Sequence, residues 1–545
     1  MSIKTTIVFL FAFGCNQLVA QQQFVTKFEM SGGTETATYA EGIEFYSNLA
    51  DSFDEIKMTA HGKTDSGKPL HLVTLSVDRD FDVANLRQKN KRILLINNAI
   101  HPGEPDGVDA SMMFLRDLVQ NKAKYQQDLE KVVIAIIPFY NIGGVLNRNS
   151  TSRVNQNGPK AYGFRGNARN YDLNRDFIKN DTRNARSFAQ IFHLLDPDIF
   201  VDTHVSNGAD YQYVITMDIA QKDKLGGVLA GYLENTMMPS LFERMKNAGA
   251  EMIPYVNVYG TTPDQGYSQF FDSPRYSSGY TVLFHTIGFM SETHMLKPYR
   301  DRVRATYSYL HGILKVMSRD SDLIKRLREE TKEAVKSQKR FPITWKLDRS
   351  RYTELKFKGY EALQVDSKVT GQKRLLYDHS RPFEKTIPYY NHYVPDIVIE
   401  KPEYYVIPQG WHHILDRLRL NQVHMRKIGQ DTTFAVEVYY IEDYKTRERH
   451  FEGHYMHYDV KLRKERQTQS FAKGDYLVPV NQWVNRYIVE TLEPQGVDSF
   501  FTWNLFDTIL QRKEGFSSYV FEDLAERLLS EDAGLRARFE QKRTE

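Results

Sequence analysis

Apolar and polar positions along this chain follow two regimes. Across residues 91–300, short apolar runs alternate with stretches whose apolar side chains return at helical spacing. Residues 92–96 and 132–139 read as buried strands, the second rich in β-branched side chains. Val108, Met112, Leu115 and Leu118 mark one helix face after the first strand, and Ala185, Phe188, Ala189 and Phe192 mark another. Ile199, Phe200 and Val201 open a further strand. Strands and helices in alternation predict a largely parallel sheet covered on both faces. Ligands in such sheets gather at the carboxyl ends of strands.

Residues 298–340 read as one or two polar helices, with a domain boundary expected at Phe341-Pro342. Beyond it, the aromatic and β-branched runs 404–407, 434–441 and 476–480 are punctuated by Pro and Gly, as in a sandwich. Residues 411–420 suggest a helix interrupting that pattern, and no internal repeat is evident. Residues 141–181 show little periodicity and are dense in Asn, Arg and Gly. So long a loop in a compact domain points to function, and the polar residues around Arg165-Gly166-Asn167 and 170–177 are too specific for a linker.

Length and composition narrow the class. At 545 residues, more than one domain is expected, and 41% hydrophobic with 26% charged residues describes a folded soluble chain. A net charge of +3 predicts neither nucleic-acid nor membrane binding, and the 33 Tyr and 32 Phe fit β-rich structure. The first twenty residues look like an export signal: Lys4, an apolar run over 7–14, and Leu18-Val19-Ala20 before three glutamines. That run is too short to span a bilayer, so no integral span is expected and the address is periplasmic or extracellular. Cys15 is the only cysteine and lies inside the signal, so the processed chain would carry no disulfide. Phe13, two positions before it, is bulky for a lipid-anchor site.

The chemistry centres on His101-Pro102-Gly103-Glu104 and, about a hundred residues on, Asp202-Thr203-His204. Pro102 and Gly103 exclude a regular helix, so a tight turn off a strand lets His101 and Glu104 converge on one ion. His204 follows an apolar strand and has Asp202 beside it as an orienting partner. Two imidazoles and one carboxylate make a three-ligand metal site with an open fourth position, and zinc suits those donors best. His450, His454 and His457 would share one helix face, but Gly453, Phe451, Tyr455 and Tyr458 favour a strand, which turns His457 away from the other two. The basic run 461–466 reads as a solvated face.

In order, HPGE, Asn174-Arg175-Asp176 and DTH resemble the M14 family of zinc carboxypeptidases over residues 40–320. The resemblance implies an α/β/α sandwich with a mixed, largely parallel sheet over 21–340, and the apolar runs beyond it predict a β-rich C-terminal domain over 341–545. It implies one zinc per chain on His101, Glu104 and His204, and a grip by Asn174 and Arg175 on the substrate's terminal carboxylate. A guanidinium holds a carboxylate through two parallel hydrogen bonds, which agrees with that role. An oxyanion-stabilising arginine is expected at Arg153, with Arg148 as the other candidate. The general base is expected at Glu292, a lone carboxylate on a late strand, although Thr293-His294 departs from the family's apolar flank. The tyrosine over the substrate is Tyr276 or Tyr280, with Tyr276 preferred.

The expectation is an exported zinc metallopeptidase acting on peptide or protein C-termini. A zinc-dependent amidase or hydrolase of peptidoglycan stem peptides keeps the metal and changes the substrate. A non-catalytic binding protein would keep only the fold.

Overall fold

The computed structural model describes residues 24–544. The expected signal segment and Cys15 lie outside the described residues. Nine strands carry the first half of the fold: β1 (Ile56–Lys63), β2 (Pro69–Leu75), β3 (Arg92–Asn97), β4 (Val132–Ile137), β5 (Ile199–Ser206), β6 (Ile215–Ile219), β7 (Met252–Pro254), β8 (Tyr267–Ser268) and β9 (Ile287–His294). Eight of them form one sheet in the order β1-β2-β4-β3-β5-β9-β6-β7. The central run β4-β3-β5-β9 is parallel, while β2 meets β4 and β6 meets β9 antiparallel. Every residue of β3, β4 and β5 is buried, which is why these strands appear in the sequence as unbroken apolar runs.

Alternate residues divide the two faces. Ile199 and Val201 of β5 join a core with Leu115 and Leu118 of helix Asp106–Gln120 and Leu310 and Ile313 of helix Tyr299–Arg319. Phe200 points the other way, edge-on to Phe188 of helix Arg183–Leu195. Each fully buried Leu, Ile or Phe contributes roughly 2 kcal/mol by leaving water. Helices on both faces complete the expected α/β/α sandwich.

A charged knot fixes the start of β5 beside β3. The Ile93 amide donates to Asp198 Oδ2 at 2.8 Å, while Arg87 and Arg328 donate to the same carboxylate at 2.5 and 2.8 Å and Arg92 at 3.3 Å. Asp198 is fully buried. Burial raises its carboxyl, but the three guanidiniums outweigh that and hold it far below the usual carboxylate range.

After helices Tyr299–Arg319 and Ser321–Ser337 the chain forms ribbons rather than the expected sandwich. Thr353–Asp366 pairs with Lys373–Tyr390, and Thr432–Thr446 pairs with His457–Phe471, as separate hairpins. Tyr404–Ile407, Tyr476–Pro479 and Arg426–Lys427 make a third small sheet, and helix His412–Leu420 interrupts the series as expected. Long exposed hairpins alternate polar and apolar residues just as sandwich strands do, so periodicity alone does not separate them.

Phe341-Pro342 does not divide the fold. One compact unit runs to Trp503, and a second begins at Asn504. Polar links hold the later ribbons to the sheet: Asn421 Nδ2 donates to Asn180 Oδ1 at 3.0 Å, Arg275 Nε to Asp498 at 2.8 Å, and Arg486 to the Lys224 carbonyl at 2.7 Å. The second unit contains helices Ser518–Glu531 and Ala533–Thr544 rather than strands. Among the described residues, no helix is long and apolar enough to cross a membrane.

Candidate active site

β3 ends at Asn97, and Ala99 takes a left-handed turn at φ 56° that carries the chain into His101. This conformation is costly for a residue with a Cβ, and such strain collects at functional sites. Glu104 precedes Pro105, the N-cap of helix Asp106–Gln120. Two glycines let the turn pack. A Cβ on Gly107 would sit 2.0 Å from Thr203 Oγ1 on β5, and one on Gly103 would sit 2.5 Å from Arg153 Cδ. His204 lies inside β5, two residues before its end, rather than just beyond the strand.

These elements bring the expected ligands together. One donor atom each from His101, Glu104 and His204 lies within 4.8 Å of the other two, and all three residues are buried. Each imidazole has a carboxylate on its far side. His101 Nε2 is 3.0 Å from Asp172 Oδ1, and His204 Nε2 is 3.1 Å from Asp202 Oδ2. A carboxylate only accepts, so His101 donates from Nε2 to Asp172 and His204 donates from Nδ1 to Glu104 Oε2, while His204 Nε2 makes no hydrogen bond. Nδ1 of His101 is 3.3 Å from Glu104 Oε1, and Nδ1 of His204 is 3.2 Å from Oε2. The buried His101 Nδ1 has no hydrogen-bond partner. Two imidazoles and a carboxylate with donor atoms this close fit a divalent metal ion, whose binding would displace the proton between His204 and Glu104.

The charges agree with that assignment. Burial raises the Glu104 carboxyl, but His101 and Arg153 outweigh it and hold the group well below its usual range. Burial also raises Asp172, which His101, Arg165 and Arg175 bring down in the same way. Glu104 therefore stays anionic, as a ligand must.

A cavity of about 370 Å³ opens beside these donors and contains Glu292, Asn174, Arg175, Tyr276, Arg153 and Arg165 among its lining residues. Glu292 sits on β9 directly opposite His204 on β5. Burial pushes its carboxyl up to about 8, with Glu104 adding to the rise and His204, Arg153 and Arg165 opposing it. Asn174 and Arg175 occupy a single 3₁₀ turn, Leu173–Arg175, capped by the Asp172 side chain, which accepts from the Asn174 amide at 2.9 Å. The Arg175 guanidinium lies 4.5 Å over the Tyr276 ring. Tyr280 is fully buried, donates to Asn421 at 2.6 Å and does not line the cavity, whereas Tyr276 does.

Arg148 also falls out. Its guanidinium donates to the carbonyls of Thr36, Ala37 and Ala161, and it does not line the cavity. Arg153 does line it, but its donors are engaged by Glu104 Oε1 at 2.8 Å, Gln156 Oε1 at 2.8 Å and the Val205 carbonyl at 3.2 Å. Arg165 was read only as part of the loop. It pairs with Asp172 at 2.8 Å, lies 3.6 Å from Glu104, and keeps 45% of its side chain exposed. Asp172 as the His101 partner, the wall tyrosines Tyr255 and Tyr259, and Asp218 were not singled out either. Only Asp172 left a sequence signal, through its place two residues before Asn174. His450, His454 and His457 form no metal group among the described residues; His454 pairs with Asp181 at 2.7 Å instead.

The zinc carboxypeptidase model of family M14 matches residues 43–195, a stretch that holds His101, Glu104, Asn174 and Arg175 and stops short of His204 and Glu292. Carboxypeptidase 2 of Trichophyton rubrum is 22% identical over 492 residues, covering 87% of this chain and 85% of the fungal one. Carboxypeptidase 2 of Trichophyton equinum is 22% identical over 498 residues, with the same coverage of 87% and 85%. The crystal structure of carboxypeptidase A from Helicoverpa armigera covers 53% of this chain and 74% of its own at 13% identity, with a TM-score of 0.39. Residues 43–195 thus match the zinc carboxypeptidase domain of family M14, and over most of its length the chain is similar to fungal carboxypeptidases.

Proposed function

We propose that the chain is an exported zinc carboxypeptidase that removes single residues from peptide C-termini, with one zinc per chain on His101, Glu104 and His204. The observation that carries this is the shared cavity. Glu292 faces it from the strand beside His204, and Asn174 and Arg175 face it from the loop. A bound zinc ion supplies Lewis-acid polarisation of a carbonyl and acidifies a water.

The chain's own residues do the rest. Arg175 and Asn174 take the free carboxylate of the substrate, which sets the last peptide bond, and no other, beside the metal donors. Glu292 takes a proton from the attacking water and returns it to the leaving amine. Arg165 stabilises the charge that develops on the carbonyl oxygen, while Arg153 holds Glu104 in its ligating pose. Asp172 keeps the His101 imidazole in the tautomer that offers Nδ1, and Asp202 lies beside the His204 ring. The expected signal over residues 1–20 supports export.

The test is mass spectrometry of a mixed peptide library after treatment with wild type, Glu292→Gln or chelated protein. Wild type is expected to trim residues stepwise from the C-terminus. Glu292→Gln is expected to keep its zinc and lose activity by about 10²–10⁴-fold, and the chelated sample is expected to be inactive. Zinc binding without C-terminal trimming would move the substrate to another amide.

A further inference from the structure

The second compact unit, from Asn504 onward, is short of a core. Among its described residues, 504–544, no side chain is buried. Helix Ser518–Glu531 repeats Phe521, Leu524, Ala525 and Leu528 at helical spacing, with Val520 beside them, and so carries an apolar stripe. Phe521 and Leu528 are each 43% exposed and Val520 is 63% exposed. Asp532 alone links this helix to Ala533–Thr544, where Leu535 and Phe539 stand one turn apart. The turn is well made: Asp532 Oδ1 accepts the Leu535 amide at 2.9 Å, and Arg536 Nε donates back to the Leu529 carbonyl at 3.0 Å. Even so, only Leu524, Leu529 and Leu535 of the two helices reach partial burial, and Phe539 stays 45% exposed.

Helices of 14 and 12 residues are marginal in water without a packed face. So small a unit ordinarily relies on a disulfide, a metal or a partner chain. This one contains no cysteine, and the metal-holding group found among the described residues is the one at His101, Glu104 and His204. A partner remains, and the charges say which. Helix Ser518–Glu531 carries Glu522, Asp523, Glu526 and Glu531 against Arg527 alone. Helix Ala533–Thr544 carries Arg536, Arg538, Lys542 and Arg543 against Glu540 alone. Helices that lie on membranes are rich in Lys and Arg on the polar face, which the striped helix is not. One acidic and one basic helix in a single unit are instead complementary to a second copy. A twofold axis sets the acidic helix of each copy against the basic helix of the other.

We propose that residues 504–544 are a self-association unit, through which two copies of this chain pair as a four-helix bundle. Val520, Phe521, Leu524 and Leu528 of each copy, with Leu535 and Phe539, form the shared core. The apolar stripe supplies the hold, while the opposed charges choose the partner and the pairing of helices. Pairing of this kind does not depend on the proposed reaction, since none of these residues lines the cavity.

The test is the molar mass of the full chain by sedimentation equilibrium at micromolar concentration. Wild type is expected to be a dimer. Phe521→Glu combined with Leu528→Glu is expected to raise the dissociation constant by at least about 100-fold, which leaves monomers. Two charge reversals test the pairing. Glu522→Lys with Glu531→Lys makes both helices basic, and Arg538→Glu with Arg543→Glu makes both acidic. Each reversed chain is expected to be monomeric alone, and an equimolar mixture of the two is expected to recover the dimer. A monomeric wild type overturns the inference, whether lipid or the chain's own first unit then covers the stripe. So does a dimer that survives Phe521→Glu with Leu528→Glu. Reversed chains that pair as readily alone as together, or that stay monomeric when mixed, overturn it as well.

Discussion

Glu104 and Glu292 are the same side chain in one cavity, and their neighbours set them to opposite tasks. Glu104 lies against His101 and Arg153 and is held well below its usual range, whereas burial pushes the Glu292 carboxyl up to about 8, which suits the proton exchange proposed for it. The two arginines separate in the same manner. Arg165→Ala is expected to lower kcat by about 10²–10³-fold with zinc retained, because it removes a donor to developing charge. Arg153→Ala is expected to weaken zinc binding by about 10–100-fold through loss of the contact that fixes Glu104. Steady-state kinetics together with zinc titration separates the two. An unchanged zinc affinity in Arg153→Ala, with the larger kcat loss there, would restore Arg153 to the oxyanion. In the sequence, the cluster of His101, Glu104 and His204 was legible because His101 and Glu104 share one turn and His204 follows an apolar strand. The choice of arginine was not, because it depends on which acceptors the folded loop places around each guanidinium.

At the scale of elements, the site stands on three neighbouring parallel strands, and Asp198 ties two of them at their base. Replacing it by Asn leaves Arg87, Arg92 and Arg328 without their common anion, and is expected to cost about 3–5 kcal/mol of stability. The sign with pH follows from the depressed carboxyl. Its stabilisation is full above the ordinary carboxylate range and is lost as pH falls below about 4. The gap between wild type and Asp198→Asn in urea unfolding should therefore narrow in acid. A gap that stays constant down to pH 3 would contradict the knot. β3, β4 and β5 could be read from their unbroken apolar runs because both faces are buried. The later hairpins could not be placed, since Thr432–Thr446 alternates in burial along an exposed ribbon as a sandwich strand would.

At the scale of the molecule, residues 341–503 are part of the unit that bears the site. The Glu452 side chain accepts the Asp172 amide at 2.8 Å, and Asp172 in turn orients His101. A chain ending at 340 is expected to be recovered unfolded, whereas one ending at 503 should keep its fold and zinc, as circular dichroism and metal analysis would show. A folded, zinc-binding chain ending at 340 would return the boundary to Phe341-Pro342. The sequence hid this because such contacts join residues hundreds of positions apart and leave no local period. The central claim is that Arg175 and Asn174 read a free terminus beside a metal-dependent base. It is tested most directly by offering the zinc-loaded protein one peptide as its free acid and as its C-terminal amide. Loss of the last residue from the acid, with the amide at least about 100-fold slower, is the expected result. Equal cleavage of both, or cleavage inside the chain, would contradict it.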